Sequence, residues 1–160
     1  MDLKAVFTSE VIGVAIKLES DDDVLRYLIE KLVNGNHIYD SQSISNLLLE
    51  ESALRASLVG HGAGIIHSRW DRLQKPIGSL VILKPGESIS LGEQVKFKVR
   101  VAFLVISPYK PAELHLDLIS SIALLVRTKG TVESLCQCEK SHEVLEILDQ
   151  FSKSSNHNGD

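Results

Sequence analysis

The sequence predicts a single α/β domain in which a mixed β-sheet is flanked by helices on both faces. Three observations lead there: helix-like and strand-like periodicities alternate along the chain, 160 residues suit one domain with a full core, and no internal repeat is visible. Hydrophobic residues at 44% and charged residues at 24% are ordinary for a globular chain. The domain is expected over residues 1–153, with a disordered tail at 154–160.

The elements follow in order. VAIKL at 14–18 reads as a short strand, leading into SDDDVLRYLIEKLVNGN. There Ser20 or Asp21 caps a helix whose first turn is acidic, Val24, Leu25, Leu28, Ile29 and Leu32 recur at helical spacing, and Asn34-Gly35 ends it. SQSISNLLLEESALRASL reads as the second helix, opened by serines and apolar at Ile44, Leu47, Leu48 and Leu54. From Gly60 the pattern changes, because Gly62-Ala63-Gly64-Ile65-Ile66 is too glycine-rich for a helix yet suits a strand lying close to its neighbours. SLVIL at 79–83 is a strand, KPGESISLGEQ a loop, and VKFKVRVAFLVIS a strand exposed on one side at first and then buried on both. After the break bracketed by Pro108 and Pro111, with Pro111 suited to a first helical turn, AELHLDLISSIALLVRT forms a long helix. VESLCQCEK and SHEVLEILDQF complete a helical C-terminal part that frays after Lys153.

Composition excludes several functions. A net charge of −4 is wrong for a protein that grips a nucleic-acid backbone, so no nucleic-acid partner is expected. The longest apolar runs, Val101 to Ile106 and Ile122 to Val126, fall far short of a membrane span, and MDLKAVFTSE lacks the basic-then-apolar order of a secretory signal. A cytoplasmic protein is the expectation. Cys136 and Cys138, even with His142 nearby, make an incomplete tetrahedral set, so they read as reduced thiols and no metal is expected.

Motifs narrow the chemistry further. Gly60, Gly62 and Gly64 follow a helix and run into a strand, the reverse of the dinucleotide fingerprint, and neither a phosphate-binding loop nor a nucleophile elbow is present. No cofactor is expected. Among the six histidines, His67 alone stands beside a glycine-rich approach at a strand end, where backbone can bend around a phosphoryl or carboxylate group, and His115 alone lies inside the long apolar helix. By residue type alone, His67 also fits a solvated strand end and His115 a hydrogen-bonded core edge.

LLLEESALRASLVGHGAGIIHSR and the later ELHLDLIS carry a family resemblance. From about residue 15 to 151 the chain resembles the enzyme IIA domain of the bacterial sugar phosphotransferase system, in its fructose and mannitol class, which includes the nitrogen-regulatory type. In that family an Arg-Glu pair on the second helix precedes a glycine-rich segment ending in Pro-His, and a later helix opens with His-Leu. The resemblance implies that His67 is the phosphorylated histidine and His115 its neighbour, with Gly62 letting the backbone approach the phosphoryl site and Ser57 keeping a hydroxyl before it. Arg55 and Arg69 are expected to support that site from their placement alone, which also fits solvated surface arginines. It implies as donor a small HPr-like phosphohistidine carrier protein, and as downstream target a regulated transporter or kinase. The chemistry would be attack by a neutral imidazole nitrogen on the carrier's phosphoryl group, with nearby donors stabilising the transferring oxygens. A chain without a membrane portion favours a regulator of the nitrogen type; the alternative is a phosphorylation-impaired IIA-like binding module.

Two positions depart from the family pattern. Glu51 and Ser52 stand where the family has its Arg-Glu pair, and Ile66 replaces the proline before the histidine. A carboxylate about 5 Å from a phosphoryl dianion repels it by several kcal/mol at an effective dielectric near 20. Arg55, one helical turn beyond Glu51, and Arg69, two residues beyond His67, are the residues placed to offset that charge. Ile66 restores a backbone N–H that proline lacks. Ala56-Ser57 also keeps only one hydroxyl of the family's Ser-Thr pair.

Overall fold

The computed structural model describes residues 1–38, 40–50, 57–91 and 97–157, without the side chains of 49, 50, 57–59 and 97. Seven strands and five α-helices are present among them: β1 (Ile12–Ile16), α1 (Asp21–Gly35), α2 (Ser41–Glu50), β2 (Ser57–Gly60), β3 (Ala63–Arg69), β4 (Ile77–Leu83), β5 (Ile89–Leu91), β6 (Phe97–Val99), β7 (Val101–Ser107), α3 (Ala112–Arg127), α4 (Thr131–Cys136) and α5 (Ser141–His157). The main sheet runs β1-β4-β7-β3-β2, parallel between β1 and β4 and between β3 and β7, antiparallel elsewhere. It is the mixed sheet that the alternating periodicities imply.

Side-chain alternation builds two cores from this one sheet. On β7, Val101, Phe103 and Val105 join Ala63, Ile65, Leu80 and Ile82 under α3, α4 and α5. The intervening Ala102, Leu104 and Ile106 join Ile66 and Val81 under α1 and α2. Every residue of β4 and β7 is buried, as expected for central strands covered on both faces. Ser79, fully buried within β4, donates to the Leu28 carbonyl at 2.7 Å and so ties α1 to the sheet.

Several boundaries differ from the sequence expectations, each for a local reason. The first strand begins at Ile12, because Ile12 and Gly13 pair with Leu80 and Val81, and a side chain at Gly13 would run into the Tyr27 ring. Ser57 and Leu58, expected at the end of the second helix, instead pair with Ile65 and Gly64 in β2. The stretch expected to be a loop contains β5, and VKFKVRVAFLVIS is broken at Arg100. β6 pairs with β5 in a small separate sheet, while the Arg100 amide donates to the Gly62 carbonyl at 2.7 Å where β7 begins. Pro111 is the N-cap of α3, just outside its first turn.

Both chain ends are more structured than expected. Near the N-terminus, 3-10 turns at Leu3–Ala5 and Ser9–Val11 bury Leu3 and Phe7 completely, and the Phe7 ring meets Phe103 edge-on at 5.6 Å. At the C-terminus, α5 continues to His157, so residues 154–157 of the expected disordered tail are helical. Phe151 packs on the core and Lys153 pairs with Asp149 one turn back at 2.9 Å, which carries the helix past the expected stop.

Candidate functional site

His67 lies within β3, directly across from Val105 of β7. The alternation that sends Ala63 and Ile65 under α3 sends His67 and Arg69 to the same face, since β3 and β7 stay in unbroken register from Ala63 to Arg69. His115 reaches that face from above. It belongs to the buried stripe of α3 with Leu118, Ile122, Leu125 and Val126, and is only 6% exposed.

The two histidines meet there. Nε2 of His115 is 3.3 Å from Nδ1 of His67, and the ring centroids are 5.3 Å apart with planes inclined by 56°. Two neutral imidazoles in this contact share one proton donor and one acceptor, so each ring fixes the tautomer of the other. His115 stands in the first turn of α3, so the positive end of the helix dipole lies at the pair and favours an anionic group. The half-buried His67 is the more accessible ring of the two.

The other expected site residues fall into three groups. Arg69 shares the face of His67, two residues further along β3, and is half-buried. Gly62 lies just before the opposite end of β3, about 16 Å from His67 at ~3.3 Å per residue. It has φ +86°, and its carbonyl accepts the amides of Arg100 and Val101 at 2.7 and 3.2 Å, a backbone role at the start of β7. The structure therefore does not bring Gly62 to the histidine pair. Ser57 pairs with Ile65 in β2, which brings its backbone beside the strand of His67; its side chain, like Arg55 and the departing residues Glu51 and Ser52, lies outside the described residues. Ile66 points away from the site into the core beneath α1 and α2.

One residue on this face was not singled out from the sequence. Ser107 is the last residue of β7, stands opposite Arg69, and is fully buried. Its hydroxyl has no hydrogen-bond partner among the described residues. The strand alternation that puts Val101, Phe103 and Val105 under α3 would have placed it there, but a serine ending an apolar run reads as a strand terminator.

Cys136 and Cys138 lie away from this site, at the end of α4 and beyond it. Cys138 is buried and its thiol donates to the Ser134 carbonyl at 3.4 Å. Burial pushes both thiols above their ordinary values. Among the described residues, no three His, Cys, Asp or Glu side chains converge in a way that could hold a metal, and no helix is long and apolar enough to cross a membrane.

Comparison with known proteins agrees with this architecture. A fructose-specific EIIA component of the phosphotransferase system from Haloferax volcanii is 21% identical over 92% of this chain and 94% of its own length. A nitrogen regulatory protein from Bradyrhizobium diazoefficiens is 24% identical over 92% of this chain and 95% of its own. The crystal structure of nitrogen regulatory protein IIA-Ntr from Neisseria meningitidis superposes with a TM-score of 0.79, at 18% identity, over 91% of this chain and 98% of that one. The family model described as phosphoenolpyruvate-dependent sugar phosphotransferase system, EIIA 2, matches residues 5–151. With the match spanning nearly the whole length, the chain belongs to the EIIA 2 family of the phosphoenolpyruvate-dependent sugar phosphotransferase system.

Proposed function

We propose that His67 accepts a phosphoryl group from an HPr-like phosphohistidine carrier protein, and that the chain acts as a regulator of the nitrogen-regulatory kind. The observation that carries the first part is the 3.3 Å contact between Nδ1 of His67 and Nε2 of His115. With Nδ1–H of His67 donating to His115, the lone pair of His67 lies on Nε2, the nitrogen turned away from its partner. Nε2 attacks phosphorus, the N–P bond forms, and the carrier's N–P bond breaks, its electron pair returning to the carrier's imidazole. Positive charge developing on the His67 ring is shared through the Nδ1 proton with His115. Arg69 and the N-terminal end of α3 offset the negative charge of the transferring oxygens.

The regulatory part rests on the departures from the family pattern. Ile66 in the proline position and Glu51 in the arginine position both bear on the rate of transfer. A slow reaction suffices for a mark that reports the phosphorylation state of a relay, whereas sugar uptake needs flux. Glu51 also supports a second reading, a IIA-like binding module that has lost phosphotransfer, because a carboxylate near a phosphoryl dianion is repulsive.

Incubation with phosphoenolpyruvate, enzyme I and the carrier protein separates the two. The first reading expects acid-labile, base-stable phosphate on the protein, formed faster in Glu51→Arg. Absence of label in the unmodified protein, with label appearing in Glu51→Arg, supports the second reading and contradicts the first.

A further inference from the structure

The outer face of α3 carries the two most exposed leucines among the described residues, Leu116 at 61% and Leu124 at 56%. They are not scattered. Reading outward along that face gives Glu113, Leu116, Ser120, Leu124 and Arg127, all on the exposed side of the helix. At 100° per residue, these five positions fall within about 80° of arc, opposite the stripe that includes His115, Leu118 and Ile122.

The row is symmetric about Ser120. A leucine stands four residues to either side, and beyond each leucine, three residues further, is a charge of opposite sign, Glu113 at one end and Arg127 at the other. Charges of these signs suit the ends of any helix, since they complement its dipole. Two exposed leucines about 12 Å apart, separated by a small residue, have no such account. Neither Glu113 nor Arg127 takes part in an ion pair among the described residues.

We propose that this face is a self-association surface on which α3 of a second copy packs antiparallel about a two-fold axis through Ser120. Under that axis, Leu116 meets Leu124 of the partner subunit, and Glu113 meets Arg127 of the partner subunit. Both contacts then occur twice, as an isologous interface requires. Ser120 at the centre leaves room for the helices to approach. A parallel arrangement would instead put Glu113 against its own copy and Arg127 against its own copy.

The contact is small. One face of a four-turn helix covers far less than the roughly 800 Å² per partner of a standard stable interface, so the dimer is weak and concentration-dependent. The inference does not depend on whether His67 is phosphorylated.

Sedimentation velocity over a range from about 5 µM to about 500 µM tests it. The unmodified chain is expected to move from monomer toward dimer across that range. Glu113→Arg alone and Arg127→Glu alone each place like charges at both ends of the pair and are expected to raise the dissociation constant about tenfold or more. An equimolar mixture of those two variants recreates opposite charges at both ends, so association should return as a heterodimer. Both substitutions are on exposed positions, and unchanged circular dichroism confirms that the variants are folded. A chain that stays monomeric throughout overturns the proposal, as do single reversals without effect or a mixture no stronger than either variant alone.

Discussion

At the scale of the residue, the two ring nitrogens of His67 are given different tasks by one contact. Nδ1 faces Nε2 of His115 at 3.3 Å, which leaves Nε2 as the nitrogen turned away from its partner; under the proposed function it is the one that meets the phosphoryl donor. Nitrogen chemical shifts of the phosphorylated imidazole should therefore place phosphorus on Nε2, and an Nδ1 phosphoimidazole would contradict this arrangement. His115→Ala removes the group that holds the tautomer, so transfer to His67 should slow by about two orders of magnitude while the fold is retained. Both histidines were legible in the sequence, one from its glycine-rich approach and the other from its place in an apolar helix. Their meeting was implied only by the family resemblance, because residue pattern alone does not state that β3 and β7 are parallel neighbours or that α3 returns over the same face. Gly62 is the opposite case: the resemblance implies a phosphate-site role for it, whereas its carbonyl fastens the start of β7 at the far end of the strand. Ser107 went unnoticed for a related reason: strand register, which a single sequence does not state, decides that it shares the face of Arg69.

At the scale of the element, close approach between backbone and side chains sets what the sheet tolerates. Gly78 in β4 is the clearest case. A Cβ there would lie 2.7 Å from the Phe7 ring, 2.9 Å from the Leu104 carbonyl oxygen and 3.0 Å from a Val6 methyl. The carbonyl belongs to the neighbouring central strand and cannot swing aside, so Gly78→Ala should destabilise the protein by about 1–3 kcal/mol, measured by urea unfolding. An unchanged midpoint would mean that the N-terminal turn does not pack on the sheet as described. That turn was invisible in the sequence because Leu3 and Phe7 show no period of their own; they are buried by long-range contact with α3, α5 and β7. Helices with a cap and a full apolar stripe were easier. Ser20 caps α1 by accepting the Asp23 amide at 3.1 Å, and Val24, Leu25, Leu28 and Leu32 are buried as their spacing implies. The break between β6 and β7 was hidden because the alternation of apolar residues continues through Arg100 while the pairing partner changes.

At the scale of the whole molecule, the two ends of the chain are joined by charge. Asp149 of α5 receives Lys4 at 2.7 Å and Lys153 at 2.9 Å. The hydrogen bonds from Lys4 and then Lys153 hold its carboxyl below the usual carboxylate range, and the same contact with Asp149 holds the Lys4 ammonium above the usual lysine value. The signs fix the pH window. The contribution of Asp149 is complete above the unfolded carboxylate value and is lost as pH falls through the lower folded one; that of Lys4 is complete below the unfolded lysine value and is lost as pH rises through the higher folded one. Asp149→Asn should therefore flatten the loss of stability on acidification from about pH 5 to about pH 3, read as urea midpoints, and an unaltered slope would show that the clasp contributes nothing. The clasp also tethers the first turn to the layer of helices that holds His115 over the sheet, so the histidine pair rests on the fold as a whole. The most direct test of its role is phosphoryl transfer from the carrier protein to the unmodified chain and to His67→Gln, followed by intact mass in the same reaction mixture. One added phosphoryl group is expected on the unmodified protein and none on His67→Gln; equal labelling of the two, or none on either, would overturn the role proposed for His67.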